Sequence, residues 1–291
     1  MPAIELADVL RLHGAAYRHD HAGHLGRGER RVMSAIELCR TAALGGHVEA
    51  CGDCGMVGIA YNSCRNRHCP KCQATARDDW LAARQADLLS VPYFHVVFTL
   101  PPAAAEIAFQ NKATVYALLM RCAADAIMTL AADPRHLGAE TGLLAVLHTW
   151  GQTLTHHPHV HCVVPGGGLG CDGQWVGCRP TFFLPVKPLA RLFRRLFLDG
   201  LVAAHKQGRL SAFGALAALT APGAFADRIA NLRKIEWLVY AKPPFGGPAQ
   251  VLAYLARYTH RTAITNTRLI AVDAENVAFT YKDYRLSLIH I

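Results

Sequence analysis

Residues 147 to 164, LHTWGQTLTHHPHVHCVV, limit the folds open to this chain more than any other stretch. His157, His159 and His161 recur at every second position, and Val160, Cys162, Val163 and Val164 beside them favour an extended strand. Alternate side chains of a strand share a face, so these imidazoles point the same way. Neutral imidazole is a common metal ligand, and a pair at i and i+2 supplies half of a metal site. A His-rich loop, or a core histidine satisfied by its neighbours, is the other reading. An alternating set inside an apolar strand weakens it.

A chain of 291 residues exceeds one typical core, which predicts a large domain plus a small module, or two domains. Its 52% hydrophobic content is ample for burial. We expect no membrane segment, because no apolar run approaches the roughly 18 residues that cross a bilayer. The N-terminus MPAIELADVLRLHG lacks the basic-then-apolar layout of a signal peptide, so the chain reads as soluble and intracellular. The net charge of +9, from 30 Lys and Arg against 21 acids, suits a polyanionic partner without choosing between DNA and RNA. Six of the ten Cys lie between Cys39 and Cys72, a distribution that favours thiols and metal ligands over disulfides.

The first 45 residues read as helical, with one helix from about Ala3 to Leu12, a His- and Gly-rich break, and a second helix through ERRVMSAIELCRTA that Gly45-Gly46 ends. His13, His19, His21 and His24 in the break fit a solvated polar loop better than a metal site. In HVEACGDCGMVGIAYNSCRNRHCPKCQ, residues 47 to 73, Cys51 and Cys54 form one CxxC and Cys69 and Cys72 another, with fourteen residues between them. Four thiolates suit tetrahedral zinc, and paired knuckles a hairpin apart are the layout of a zinc ribbon. Redox CxxC motifs usually occur singly beside a strand-helix unit. Cys64 and His68, with His47 and Cys39 nearby, could complete a second site, although a buried apolar thiol is the simpler account of Cys64. Arg65, Arg67 and Lys71 on the second knuckle are placed to meet phosphates, so the module reads as nucleic-acid binding.

A helix from about Ala74 to Leu89 leads to VPYFHVVFTLPP, a buried strand ended by two prolines. Residues 103 to 131 are helical, LLAVLHTW and HPHVHCVV give two more strands, and the Gly166 to Gly168 turn precedes a hairpin in CDGQWVGCR. The runs 93–99, 143–150 and 159–164 therefore build a sheet in an α+β pattern. Residues 186 to 208 form an amphipathic helix, with Leu189, Leu192, Phe193, Leu196 and Phe197 as its apolar stripe and Lys187, Arg191, Arg194 and Arg195 opposite. That basic side is either a solvated face or one that tracks phosphates. EWLVYAKPPFG reads as a further strand.

In GPAQVLAYLARYTHRTAITNTRL, residues 247 to 269, Pro248 fits the first turn of a helix that places Tyr254 and Tyr258 one above the other, with Arg257 and Arg261 beside them. Paired Tyr on a helix is usually core or a half-buried pair. Beside a His strand and a basic excess it gains another meaning. With a pKa of about 10, tyrosine attacks a phosphodiester more readily when a cation stabilises the developing charge.

The order of zinc ribbon, FTLPP strand, HPHVHC and YLARYTHR resembles the two-tyrosine rolling-circle transposases of the HUH superfamily, the insertion sequence ninety-one family, from HVEACGDCG through YKDYR. In that resemblance His159, Val160 and His161 are the His-hydrophobic-His element, CRNRHCPKC belongs to the zinc module and YLARYTHR is the tyrosine helix. It implies N-terminal helices and a zinc ribbon over 1–90, followed over 91–291 by an HUH-type antiparallel-sheet nuclease core with flanking helices. It further implies a single-strand DNA endonuclease and strand transferase of the bacterial cytoplasm that acts on single-stranded or unpaired transposon ends. Zn²⁺ would be structural, and Mg²⁺ or Mn²⁺ would be held by His159 and His161. Magnesium needs further oxygen ligands, and Gln152 is the candidate third ligand ahead of His148 and His157. Tyr254 or Tyr258 would form the 5′-phosphotyrosine link, and Arg257 and Arg261 would join Arg65, Arg67 and Lys71 on DNA.

Members of the family continue past YKDYR, whereas this chain stops at Ile291, and LSLIHI is what a common sequencing-adapter end would encode in one frame. We therefore expect a truncated reading frame. Two rival classes remain: a non-catalytic zinc-ribbon DNA-binding protein with structural His and Tyr, and a metal-dependent phosphodiesterase that uses water.

Overall fold

The computed structural model describes residues 4–84, 88–151, 153–242, 250, 256 and 262–281. The chain forms two compact units, one of residues 1–83, 152–154 and 259–291, the other of 84–151 and 155–258.

In the first unit, helix α1 (Leu6–Asp20) starts where the Asp8 carboxylate accepts the Glu5 N–H at 2.9 Å, which satisfies a donor the helix cannot. It runs through the segment that reads as a break. Gly14 is buried there because a side chain would meet the Glu37 carboxylate of α2 (Arg27–Leu38), and Arg18 pairs with Glu37 at 2.5 Å. This glycine permits close helix packing rather than ending the helix. Strands β1 (Gly46–Ala50) and β2 (Val57–Tyr61) form a hairpin in the register Gly46 to Tyr61 and Ala50 to Val57, with Val48, Met56, Val57 and Ile59 all more than 60% exposed. Helix α3 (Pro70–Arg84) follows, its Pro at the first position where no N–H is needed. The unit also takes in the last two strands among the described residues, β9 (Leu269–Val272) and β10 (Val277–Phe279). Just before them Asn266 accepts the Leu6 N–H at 3.0 Å.

The second unit is α+β. Strands β3 (Tyr93–Thr99), β4 (Leu144–Trp150), β5 (His156–Pro165) and β8 (Val239–Lys242) make a fully antiparallel sheet in the order β4-β5-β3-β8. The three strands expected from sequence are present, and β8 joins them as an edge. Two-residue periodicity sorts their side chains. Phe94, Val96 and Phe98 of β3 and Val160, Cys162 and Val164 of β5 are buried in one core with helices α4 (Pro102–Gln110), α5 (Lys112–Ala132), α6 (Val186–Lys206) and α7 (Ala224–Lys234). Phe98 packs on Phe193 of α6 with ring centroids 4.8 Å apart. Helix α5 is, by length and composition alone, apolar enough to cross a membrane, contrary to the expectation that no stretch approaches this; Val115, Leu119 and Ile127 along it are fully buried in the core. Strands β6 (Gly167–Leu169) and β7 (Trp175–Gly177) form the expected hairpin, but the glycines read as a turn lie within and beside β6.

Candidate metal centres

The opposite face of the sheet carries the histidines. On β5 the apolar residues at 160, 162 and 164 turn into the core, which leaves His159 and His161 on the other side, and His148 of β4 stands directly across from His159 in the ladder. One nitrogen from each of His148, His159 and His161 lies within 4.8 Å of the others. His148 and His161 are buried and His159 half-buried. The Nδ1 of His159 lies 2.6 Å from the His157 carbonyl oxygen, which can only accept. Nδ1 therefore carries the proton and Nε2 holds the ligating lone pair. Three imidazoles in reach of one point fit a divalent ion of intermediate softness better than Mg²⁺, which prefers oxygen.

The structure thus brings the expected pair His159 and His161 together with His148, which ranks below Gln152 as a third ligand on sequence alone. Gln152 lies outside the described residues, and His157 contributes its carbonyl instead of its ring. A fourth histidine, His95 of β3, sits 2% exposed with Nε2 at 2.8 Å from His161 Nδ1. Burial first, then the charge of Lys242, then His159, lower its pKa to about 4, so its ring is neutral at ordinary pH. No sequence argument selects His95. The available signal is a histidine within the mostly apolar and aromatic run YFHVVFT.

The second centre gathers a different set of thiols from the expected one. Cys69 and Cys72 converge with Cys39 and Cys64, and Cys51 and Cys54 stand exposed at the tip of the β1–β2 hairpin, outside this cluster. The Sγ atoms of Cys39 and Cys72, of Cys64 and Cys72, and of Cys69 and Cys39 are each 3.6 Å apart. That is far beyond the ~2.05 Å of a disulfide. A zinc tetrathiolate with bonds of about 2.3 Å places its sulfurs about 3.8 Å apart, so the four thiols fit tetrahedral zinc. The physical reason is the path of the chain. The hairpin's strands carry Cys51 away along five ladder pairs, while the amphipathic α2 delivers Cys39 from its end beside the loop that holds Cys64. Burial raises the pKa of Cys64, expected to be a plain buried thiol, and pushes Cys69 up to about 11. Among the described residues His68 and His47 join no such cluster, and His47 pairs instead with Glu49 at 2.9 Å.

Arg65 and Arg67 are exposed in the loop before α3, as DNA contact requires. Lys71 forms an ion pair with Glu5 at 2.5 Å. Tyr254, Tyr258, Arg257 and Arg261 lie outside the described residues.

Comparison with known proteins places these centres in a family. A family described as "Putative transposase" matches residues 142–289, and a "Transposase zinc-binding domain" of the insertion sequence ninety-one type matches residues 9–100. The chain is 61% identical over 282 residues to the "Putative transposase y4qJ" of Sinorhizobium fredii, covering 97% of this chain and 71% of that one. The chain belongs to the insertion sequence ninety-one family of transposases. It is also 30% identical over 260 residues to the transposase of insertion sequence element IS801 from Pseudomonas savastanoi pv. phaseolicola, covering 88% of this chain and 61% of that protein. Among solved structures, a conjugative relaxase TrwC in complex with oriT DNA, in a metal-bound form, overlaps 57% of this chain and 70% of its own at 11% identity, with a TM-score of 0.31, a likeness too slight to bear on function. Within the family frame, the zinc-binding match contains all four convergent thiols. The transposase match contains His148, His159, His161 and both tyrosines of YLARY.

Proposed function

We propose that this transposase cuts and rejoins single DNA strands by the rolling-circle route, with Tyr254 or Tyr258 as nucleophile. The observation that carries the reading is the convergence of His148, His159 and His161 on the sheet face turned away from the core, in a chain whose family match continues through two tyrosines four residues apart. Those histidines would hold a divalent ion, Mn²⁺ in preference to Mg²⁺ given an all-nitrogen donor set. The ion supplies charge that makes a bound phosphate more electrophilic and stabilises negative charge as it develops. The phenol oxygen forms a bond to phosphorus, the bond from phosphorus to the 3′-oxygen breaks, and the phenolic proton ends on the released 3′-OH. The product is a 5′-phosphotyrosine. The second tyrosine would accept the second strand end.

On this reading residues 1–90 and 91–291 are a zinc-ribbon DNA-binding module and a nuclease core. Cys39, Cys64, Cys69 and Cys72 hold structural Zn²⁺, Arg65 and Arg67 meet phosphates, and Arg257 and Arg261 join them beside the tyrosines. The partner is DNA, single-stranded or unpaired at transposon ends, in the bacterial cytoplasm.

The test is incubation with end-labelled single-stranded DNA and Mn²⁺, followed by denaturing gels. A protein-linked label that persists in each single Tyr→Phe variant and vanishes in the Tyr254→Phe/Tyr258→Phe double variant supports the proposal. Cleavage without a linked label would assign a hydrolase, and binding alone a non-catalytic zinc protein.

A further inference from the structure

We propose that His95 is a positioning residue that holds His161 in the Nδ1–H tautomer and so aims the Nε2 lone pair of His161 at the metal; this rests on the metal-site reading above. The two residues are diagonal neighbours on the sheet face that bears the cluster: His95 stands across the ladder from Val163, and His161 across from Val97. Their contact is narrowly defined. His95 Nε2 and His161 Nδ1 are 2.8 Å apart, the ring centroids 5.0 Å apart and the ring planes within 7° of parallel. An imidazole nitrogen lies about 1.1 Å from its ring centre, so a head-on hydrogen bond between coplanar rings gives a centroid separation of about 5 Å. The observed value equals that sum. The rings therefore meet edge to edge in one plane through a nearly linear N–H···N bond, and are not stacked face to face.

Such a bond has two versions with opposite consequences. Where His95 donates from Nε2, His161 accepts at Nδ1 and carries its own proton on Nε2, which removes the lone pair that a metal would need. Where His161 donates from Nδ1, its Nε2 becomes the ligand, and His95 accepts with its proton on its own Nδ1. Only the second version lets His161 act with His148 and His159, and it mirrors His159, whose Nδ1–H is held by the His157 carbonyl. Each of these two ligands then has its tautomer set by a partner behind it. A second imidazole does for His161 what a carbonyl oxygen does for His159.

The experiment uses the whole chain with the histidine centre freed of metal by a mild chelator and ¹⁵N-labelled histidine. Two-bond ¹H–¹⁵N correlations of His161, assigned by their loss in His161→Gln, should show a protonated Nδ1 and an unprotonated Nε2; a protonated Nε2 would overturn the proposal. Mn²⁺ titration followed by electron paramagnetic resonance is the second readout. His95→Phe keeps the ring volume but cannot accept, and should bind Mn²⁺ about 10- to 100-fold more weakly. His95→Gln places a carbonyl oxygen near the position of Nε2 and should restore binding to within about threefold, using the same acceptor chemistry. Equal Mn²⁺ affinity in wild type and His95→Phe would overturn the proposal, as would failure of Gln to rescue. Should His95→Phe not fold, the wild-type tautomer decides. Absence of Mn²⁺ binding by the wild type would instead sink the metal-site reading, so the two failures are distinguishable.

Discussion

Cys39 and Cys69 bring their Sγ atoms to 3.6 Å across thirty residues of chain, one from the end of α2 and one from the loop before α3. The cluster of thiols that could hold zinc thus includes Cys39, which no CxxC motif contains. The expected outcome is that Cys39→Ser and Cys64→Ser lose the bound zinc during gel filtration, while a Cys51→Ser/Cys54→Ser double variant retains one zinc per chain by elemental analysis. Structural zinc sites hold on the order of 10 kcal/mol of binding energy, so a missing thiolate should also lower the melting temperature of the first unit. Zinc lost with Cys51 and Cys54 and kept without Cys39 would reverse the assignment.

The histidine centre gives a similar contrast. His148 stands opposite His159 in the ladder, and its nitrogen shares the cluster. His148→Ala should weaken Mn²⁺ binding by about a hundredfold, at least the loss seen when supporting groups around a metal are removed. Gln152→Ala should change it by no more than about threefold. Calorimetric titration of both variants decides which residue completes the triad, and the reverse ranking would return that role to Gln152.

What sequence made legible follows from the range of the forces involved. The sheet strands were readable because β3 and the end of β5 are rich in apolar, aromatic and β-branched residues, and the alternation of His159 and His161 with Val160 and Cys162 marks which side faces the core. The partners across the ladder were not readable, because His148 meets His159 through strand register and His95 meets His161 through the choice of neighbouring strand. Local spacing favoured Cys51 and Cys54 as zinc ligands, whereas the path of the chain gathers Cys39 and Cys64 beside Cys69 and Cys72. The His- and Gly-rich segment after Leu12 shows the same limit, since a glycine that breaks a helix and one such as Gly14 that lets two helices approach look alike until Glu37 is in place.

The glycines of PGGGL follow that logic and carry their own prediction. A side chain on Gly168 would run into the backbone carbonyl of Glu140, whose N–H and C=O bridge to Leu169. A backbone cannot yield as a flexible side-chain end can. Gly168→Ala should cost about 2 kcal/mol as an overpacked position, a fall in melting temperature of about 6 °C for a unit of this size. Gly173→Ala at the β6–β7 turn meets no neighbouring atom, but its φ of +75° disfavours a side chain, so its cost should come from backbone strain at about 1 kcal/mol. Thermal denaturation of the two variants separates close approach from turn geometry, and equal stability of Gly168→Ala and wild type would contradict the packing described.

Acid should destabilise the metal-free protein through His95. Its pKa falls to about 4 in the fold, chiefly through burial and then through Lys242 and His159, against about 6.5 in an unfolded chain. Between those values the unfolded state binds a proton that the folded state refuses, so stability is full above about pH 6.5 and declines as pH falls toward 4. A difference of about 2.5 pKa units corresponds to about 3 kcal/mol, reached near pH 4 and constant below it. His95→Gln has nothing to titrate at this position. The stability difference between wild type and His95→Gln, measured by urea denaturation with chelator present, should therefore shift against the wild type by up to about 3 kcal/mol between pH 7 and pH 4. A difference that stays flat over that range would mean that His95 is solvated or protonated in the folded state, contrary to its burial on β3.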